Sequence, residues 1–160
     1  MNRLDLIYLV LSLFLFSENE AWNSLNVMSN VQLTFRNRGN QTDFIVESSF
    51  GNGVYVDNAW LGIGLNSRSG VMNGASVVVC KNSPSSKAVE HYYNRRHRSV
   101  YIDSNDPSIG IKNAQISTNN THIKCEYTRE NSGESRDYFD LNKNSPYLTA
   151  AFGQGYLKDL

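Results

Sequence analysis

Three prolines in 160 residues, with charged side chains at only 19%, are too little bias for a collagen-like fibre, a disordered tail or a coiled coil. A basic excess is missing too. The 15 basic and 15 acidic residues cancel, whereas a dedicated nucleic-acid binder carries surplus cations that displace counterions from phosphates. Nucleic acid is therefore not an expected partner. No stretch keeps a helical hydrophobic period, and no apolar run reaches the ~20 residues that span a bilayer. What is plentiful is Asn and Ser, together about a quarter of the chain, with 9 Tyr and 7 Phe. Asn and Ser favour turns, while aromatic and β-branched residues favour strands. The chain reads as one all-β, turn-rich domain.

The first residues read as an address. Arg3 precedes an apolar run at 6–16, and the polar Ser17-Glu18-Asn19-Glu20-Ala21 follows with small residues suited to cleavage. That is the layout of a secretory signal peptide over residues 1–21. Its removal takes away Arg3, Asp5, Glu18 and Glu20 and leaves a net charge of +2 on residues 22–160, read as a single domain. No transmembrane segment is expected in the mature chain, and its place is extracellular. Two sequons, at Asn40 and Asn119, lie in polar turn-like stretches and are expected glycosylation sites. Cys80 and Cys125 are an even number in an exported chain, near strand ends among apolar neighbours. They are expected to form a disulfide, the other reading being two separate buried thiols.

Strand signals recur every dozen residues or so. Val31, Leu33 and Phe35 alternate onto one face, and 43–47 resumes extended structure after the Arg38-Gly39-Asn40 turn. In 59–65, Leu61, Ile63 and Leu65 share one face; Gly62 and Gly64 share the other with Trp60, which leaves space for a ligand. Further strands are expected at 75–80, 89–93, weakly at 101–103, in a hairpin of 115–117 with 122–129, and at 147–152. About ten short strands in one unit fit a two-sheet antiparallel β-sandwich of immunoglobulin-like kind. Trp60, Leu61, Ile63, Val77, Val79, Ile123, Tyr127, Leu148 and Phe152 are its expected core.

Candidate chemistry is sparse. His91, His97 and His122 make no zinc pattern with the cysteines, and no HExxH, GxSxG or phosphate-binding glycine loop occurs. No catalytic residues are assigned, and the chain is read as non-enzymatic. Arg95-Arg96-His97-Arg98 is the one charge cluster; it is read as a solvated strand end, with acidic glycans or lipid head groups as the alternative partners. Met72 sits in the Gly/Asn/Ser loop after 59–65, where it is either core filler or an axial haem ligand.

Several of these segments resemble the DOMON family. Trp60-Leu-Gly-Ile-Gly-Leu-Asn66, Met72-Asn-Gly-Ala-Ser-Val-Val-Val79 and Glu90-His-Tyr-Tyr93 follow its core signature. Cys125-Glu-Tyr-Thr-Arg129 and Tyr147-Leu-Thr-Ala-Ala-Phe-Gly153 follow its later strands. The likeness spans roughly 31–153 and implies an extracellular β-sandwich module that binds haem, a sugar or a protein partner. By this resemblance Met72 stands where haem-binding members carry an axial methionine. Their partner histidine follows the final strand, where this chain has Gln154-Gly-Tyr-Leu-Lys-Asp-Leu160, and Ser76 stands where an acidic residue is common. The substitute ligands to weigh are His91 and His97. The expectation is a secreted binding module for a small ligand or protein; the alternative is a soluble b-type cytochrome using Met72 in electron transfer. The membrane cytochrome module that often follows a DOMON domain is not expected here.

Overall fold

The structure is a computed structural model that describes residues 21–50, 56–96 and 98–155. The expected signal peptide, His97 and the tail after Gly155 lie outside the described residues, Ala21 apart. Ten strands form two antiparallel five-stranded sheets: β1 (Asn23–Met28), β2 (Val31–Asn37), β3 (Gln41–Ser49), β4 (Ala59–Asn66), β5 (Ser76–Asn82), β6 (Lys87–Arg95), β7 (Arg98–Tyr101), β8 (Ile111–Thr118), β9 (His122–Glu130) and β10 (Tyr147–Gln154). One sheet has the order β1-β2-β3-β9-β8 and the other β10-β4-β5-β6-β7. This is the β-sandwich read from the sequence. Among the described residues, no helix is long and apolar enough to cross a membrane.

Alternation builds the interior of the first sheet. Val31, Leu33 and Phe35 of β2 point inward, as do Phe44 and Val46 of β3 and Ile123, Cys125 and Tyr127 of β9, all buried. Register puts Phe35 opposite Phe44 and Phe44 opposite Tyr127, so their rings form a row at 6.5 and 5.3 Å. Several outward residues are charged, with Lys124 paired to Glu126 at 2.6 Å. In the second sheet, β4 is buried on both faces. Leu61, Ile63 and Leu65 enter the sandwich, while Trp60 joins Ala75, Val77, Val79, Tyr92 and Ala151 in a second apolar layer on the outside. The Tyr92 edge of that layer is capped by the Lys81–Glu90 ion pair.

Cys80 and Cys125 form a disulfide that ties β5 of one sheet to β9 of the other, with Cα atoms 6.3 Å apart. The expected pairing is therefore present. Of the expected core residues all are buried except Phe152, which is partly buried and packs edge-on against Phe50 at 5.6 Å.

Two strands differ from the sequence reading. β1 alternates apolar residues with Asn23, Ser24 and Asn26 on an edge, so its signal is weak; pairing with β2 defines it. The weak strand expected at 101–103 is instead β7 at Arg98–Tyr101, because Arg95 and Arg98 close a two-residue hairpin onto β6.

Candidate functional site

Three segments meet at one end of the sandwich: the β4–β5 loop, the β6–β7 turn, and the connection from β9 to β10. Asn66, the last residue of β4 and buried, organises the first. Its side-chain amide donates to the carbonyls of Val71 at 2.6 Å and Asn73 at 3.1 Å, and its side-chain oxygen accepts the Arg68 N–H. Gly70 and Gly74 take left-handed φ values of 67° and 86°, which a side chain would resist. Met72 is half-buried in this loop, and its carbonyl accepts the Ala75 N–H at 3.1 Å. The side chain of Asn73 reaches across to accept the Arg96 N–H at 2.7 Å, fastening loop to turn.

The third segment is anchored from inside. Arg129 is 1% exposed. Its guanidinium lies 4.2 Å from the Tyr138 ring centre and donates to the carbonyls of Phe139 at 2.7 Å and Glu130 at 3.0 Å. Tyr138 donates its hydroxyl to Glu130 O at 2.6 Å, and burial raises its pKa to about 12. Asn131 is fully buried and receives the Thr42 hydroxyl at 2.7 Å. This interior work holds Arg136 and Asp137 at the mouth.

Between the three segments is a cleft of about 780 Å³ lined by Asn73, Tyr93, Arg95, Arg96, Arg98, Arg136 and Asp137. Arg95 binds the Asp137 carboxylate at 2.7 Å, and Arg136 approaches its other oxygen at 3.9 Å. Among the described residues, no carboxylate pairs with Arg96 or Arg98. A second, smaller hollow of about 360 Å³ at the opposite end is lined by Glu47, Ser117, Thr118, Asn119, His122, Ile123 and Lys124.

The residues singled out in the sequence are scattered over this structure. Trp60 is buried with its ring against Gly153, where an added Cβ would stand 2.8 Å from it. Methyls of Val77 and Val79 border Gly62 at 3.5 Å, and Thr149 and Val77 crowd Gly64. The glycines accommodate neighbouring side chains. Asn40 and Asn119 are exposed on turns at opposite ends. The cleft-lining Arg136 and Asp137, the loop-organising Asn66 and the anchoring Tyr138 escaped the sequence reading, because their roles arise only from long-range contacts.

His91 faces the interior and is 0% exposed. Its Nδ1 lies 3.0 Å from the Ile109 carbonyl, which only accepts, so Nδ1 carries the proton. Nε2 therefore accepts the Ser76 hydroxyl at 2.7 Å. Burial, together with the Arg129 charge, pushes its pKa down to about 3. A haem iron needs a free imidazole nitrogen, and here both are engaged. β10 ends at Gln154, opposite Ala59, whereas the Met72 loop lies beyond Asn66, a full strand or about 25 Å away. The described residues do not fit a methionine–histidine haem pair. They also hold no group of three or more His, Cys, Asp or Glu placed to bind a metal ion.

The architecture is a two-sheet antiparallel β-sandwich with a cleft built by loops at one end. Residues 26–153 match the DOMON domain, and the chain belongs to that family. No curated protein matches it. Among solved structures, it is similar to the cytochrome domain of Myriococcum thermophilum cellobiose dehydrogenase, at 13% identity and a TM-score of 0.41, over 85% of this chain and 82% of that one.

Proposed function

We propose that the chain is an exported, non-catalytic DOMON binding module whose ligand or protein partner docks in the cleft between the Met72 loop and the β6–β7 turn. The observation that carries this reading is the fastening of three separate segments around one concavity, with Asn73 linking two of them at 2.7 Å. Loops positioned by a rigid sandwich are where such folds recognise ligands. The Ser76–His91 contact has the spacing of a nucleophile and base, but it is sealed in the core and supports a structural role. The disulfide supports an oxidising compartment, the one expected from reading residues 1–21 as a signal peptide. Titration of the purified protein with haemin tests the reading against the cytochrome alternative. The expected spectrum has no low-spin Soret signature. A stoichiometric low-spin spectrum that is lost in Met72→Leu would establish the cytochrome instead.

A further inference from the structure

We infer that the cleft is a receptor for acidic glycans, in which Arg96, Arg98 and Arg136 grip sulfate or uronate oxygens. The inference rests on the binding-module reading and names the ligand class for its cleft. It starts from three places where the chain departs from what its local fold favours.

The β6–β7 hairpin is tight, since Arg95 and Arg98 pair across it. Two-residue hairpins need left-handed backbone, which Asn-Gly supplies easily. Here Arg96 takes φ 50°, a conformation that crowds any side chain with a Cβ. Arg95 and Arg98 also stand directly opposite, where like charges repel, and among the described residues only Arg95 has a carboxylate, Asp137, to offset the repulsion. Arg136 then enters the same cleft from a segment some forty positions along the chain, bringing a fourth guanidinium to a lining in which, among the described residues, Asp137 is the single carboxylate. Among the described lining residues, four positive charges against one leave +3 in a chain whose overall formal charge is zero. Backbone strain and crowded like charge persist where a ligand makes use of them.

The chemistry of the lining selects the partner. A guanidinium presents a planar fork of donors that matches two oxygens of a carboxylate or sulfate. Asn73, whose side-chain oxygen holds the turn, keeps its NH2 for a sugar hydroxyl, and the Tyr93 ring carries the Arg95 guanidinium at 5.8 Å. The volume lies within the roughly 300–1,000 Å³ typical of small-ligand sites, enough for a sugar unit or two of a chain that continues into solvent. The disulfide fits an oxidising compartment outside the cytosol, where the ligand would be met.

Calorimetry of the disulfide-intact protein with a heparin-derived oligosaccharide, an oligogalacturonate, a neutral cello-oligosaccharide and phosphatidylserine vesicles tests this. At least one acidic glycan is expected to bind and the neutral one not, with affinity falling as salt rises. Arg96→Gln and Arg98→Gln are each expected to weaken binding about tenfold, and Arg98→Lys to restore it only in part. Lys124→Gln, at the opposite end, leaves it unchanged. Arg96→Gly removes a ligand group and relieves the turn, so affinity drops while the melting temperature holds or rises. Glycan binding that Lys124→Gln weakens as much as the arginine variants do would overturn the site. Binding to vesicles alone would overturn the ligand class and point to lipid. Binding to no anion would also refute the inference, while leaving the module reading to be decided by the haemin titration.

Discussion

The Ser76 hydroxyl donates to Nε2 of His91 across 2.7 Å inside the sandwich, while the opposite ring nitrogen donates to Ile109 O at 3.0 Å. Burial and the Arg129 charge keep the ring neutral, which sets these directions. Its neighbours include the Tyr138 ring, in a T-shaped contact at 4.9 Å, and the Arg129 cation, which opposes an imidazolium.

A pH dependence follows from that neutral ring. Burial and Arg129 depress the folded pKa to about 3, against 6.5 in an ordinary environment. Between those values the unfolded chain binds a proton that the folded chain refuses, so the fold loses stability as pH falls through this window. The slope attributable to His91 is about 1.4 kcal/mol per pH unit at its steepest. Urea unfolding at a series of pH values should show a flatter dependence in His91→Gln, even though that variant starts less stable. An NMR titration in which the His91 ring protonates near its ordinary value in the folded protein would refute the account of this pair.

Tyr138 is the linchpin of the connection that carries Arg136 and Asp137. Its ring lies under the Arg129 guanidinium, and added Cβ atoms at Gly110 or Gly133 would collide with it. Tyr138→Phe removes the hydroxyl bond to Glu130 O and should cost about 1 kcal/mol. Tyr138→Ala also removes the ring from beneath a buried cation and should cost about 4 kcal/mol. Denaturant midpoints measure both. Equal effects of the two variants would mean that the ring contact contributes nothing.

The cross-sheet disulfide should stabilise the fold largely by restricting the unfolded chain. With a separation of 45 residues, the loop-entropy relation gives about 4 kcal/mol. The Cys80→Ala/Cys125→Ala double variant should lose most of that in equilibrium unfolding, with its strand content unchanged in far-ultraviolet dichroism. A double variant as stable as the parent would show that packing around Val46, Leu61 and Val89 holds the sheets together alone.

Much of this fold was legible because alternation is a local signal. β2, β4 and β9 announce their inward faces through Val31-x-Leu33-x-Phe35, Leu61-x-Ile63-x-Leu65 and Ile123-x-Cys125-x-Tyr127. β1 was hidden by its polar residues, and β7 by a run of basic residues with no apolar period. The site was harder to see for a physical reason. The cluster at 95–98 resembles a solvated strand end as long as only neighbours in sequence are considered. Its meaning changes when Arg136 and Asp137 arrive from beyond β9 and Asn73 fastens the turn from the other side. Glycines beside Trp60 likewise suggested open space, but their vacancy is taken by Val77, Val79 and Thr149 from adjoining strands.

The location of the binding end is tested most directly by backbone amide chemical-shift mapping of the 15N-labelled protein titrated with a heparin-derived oligosaccharide. Shifts concentrated at Asn73, Tyr93, Arg95, Arg96, Arg98 and Arg136, saturating together, are the predicted result. Shifts concentrated instead at Glu47, Asn119 and Lys124, or spread evenly over all basic residues, would contradict it.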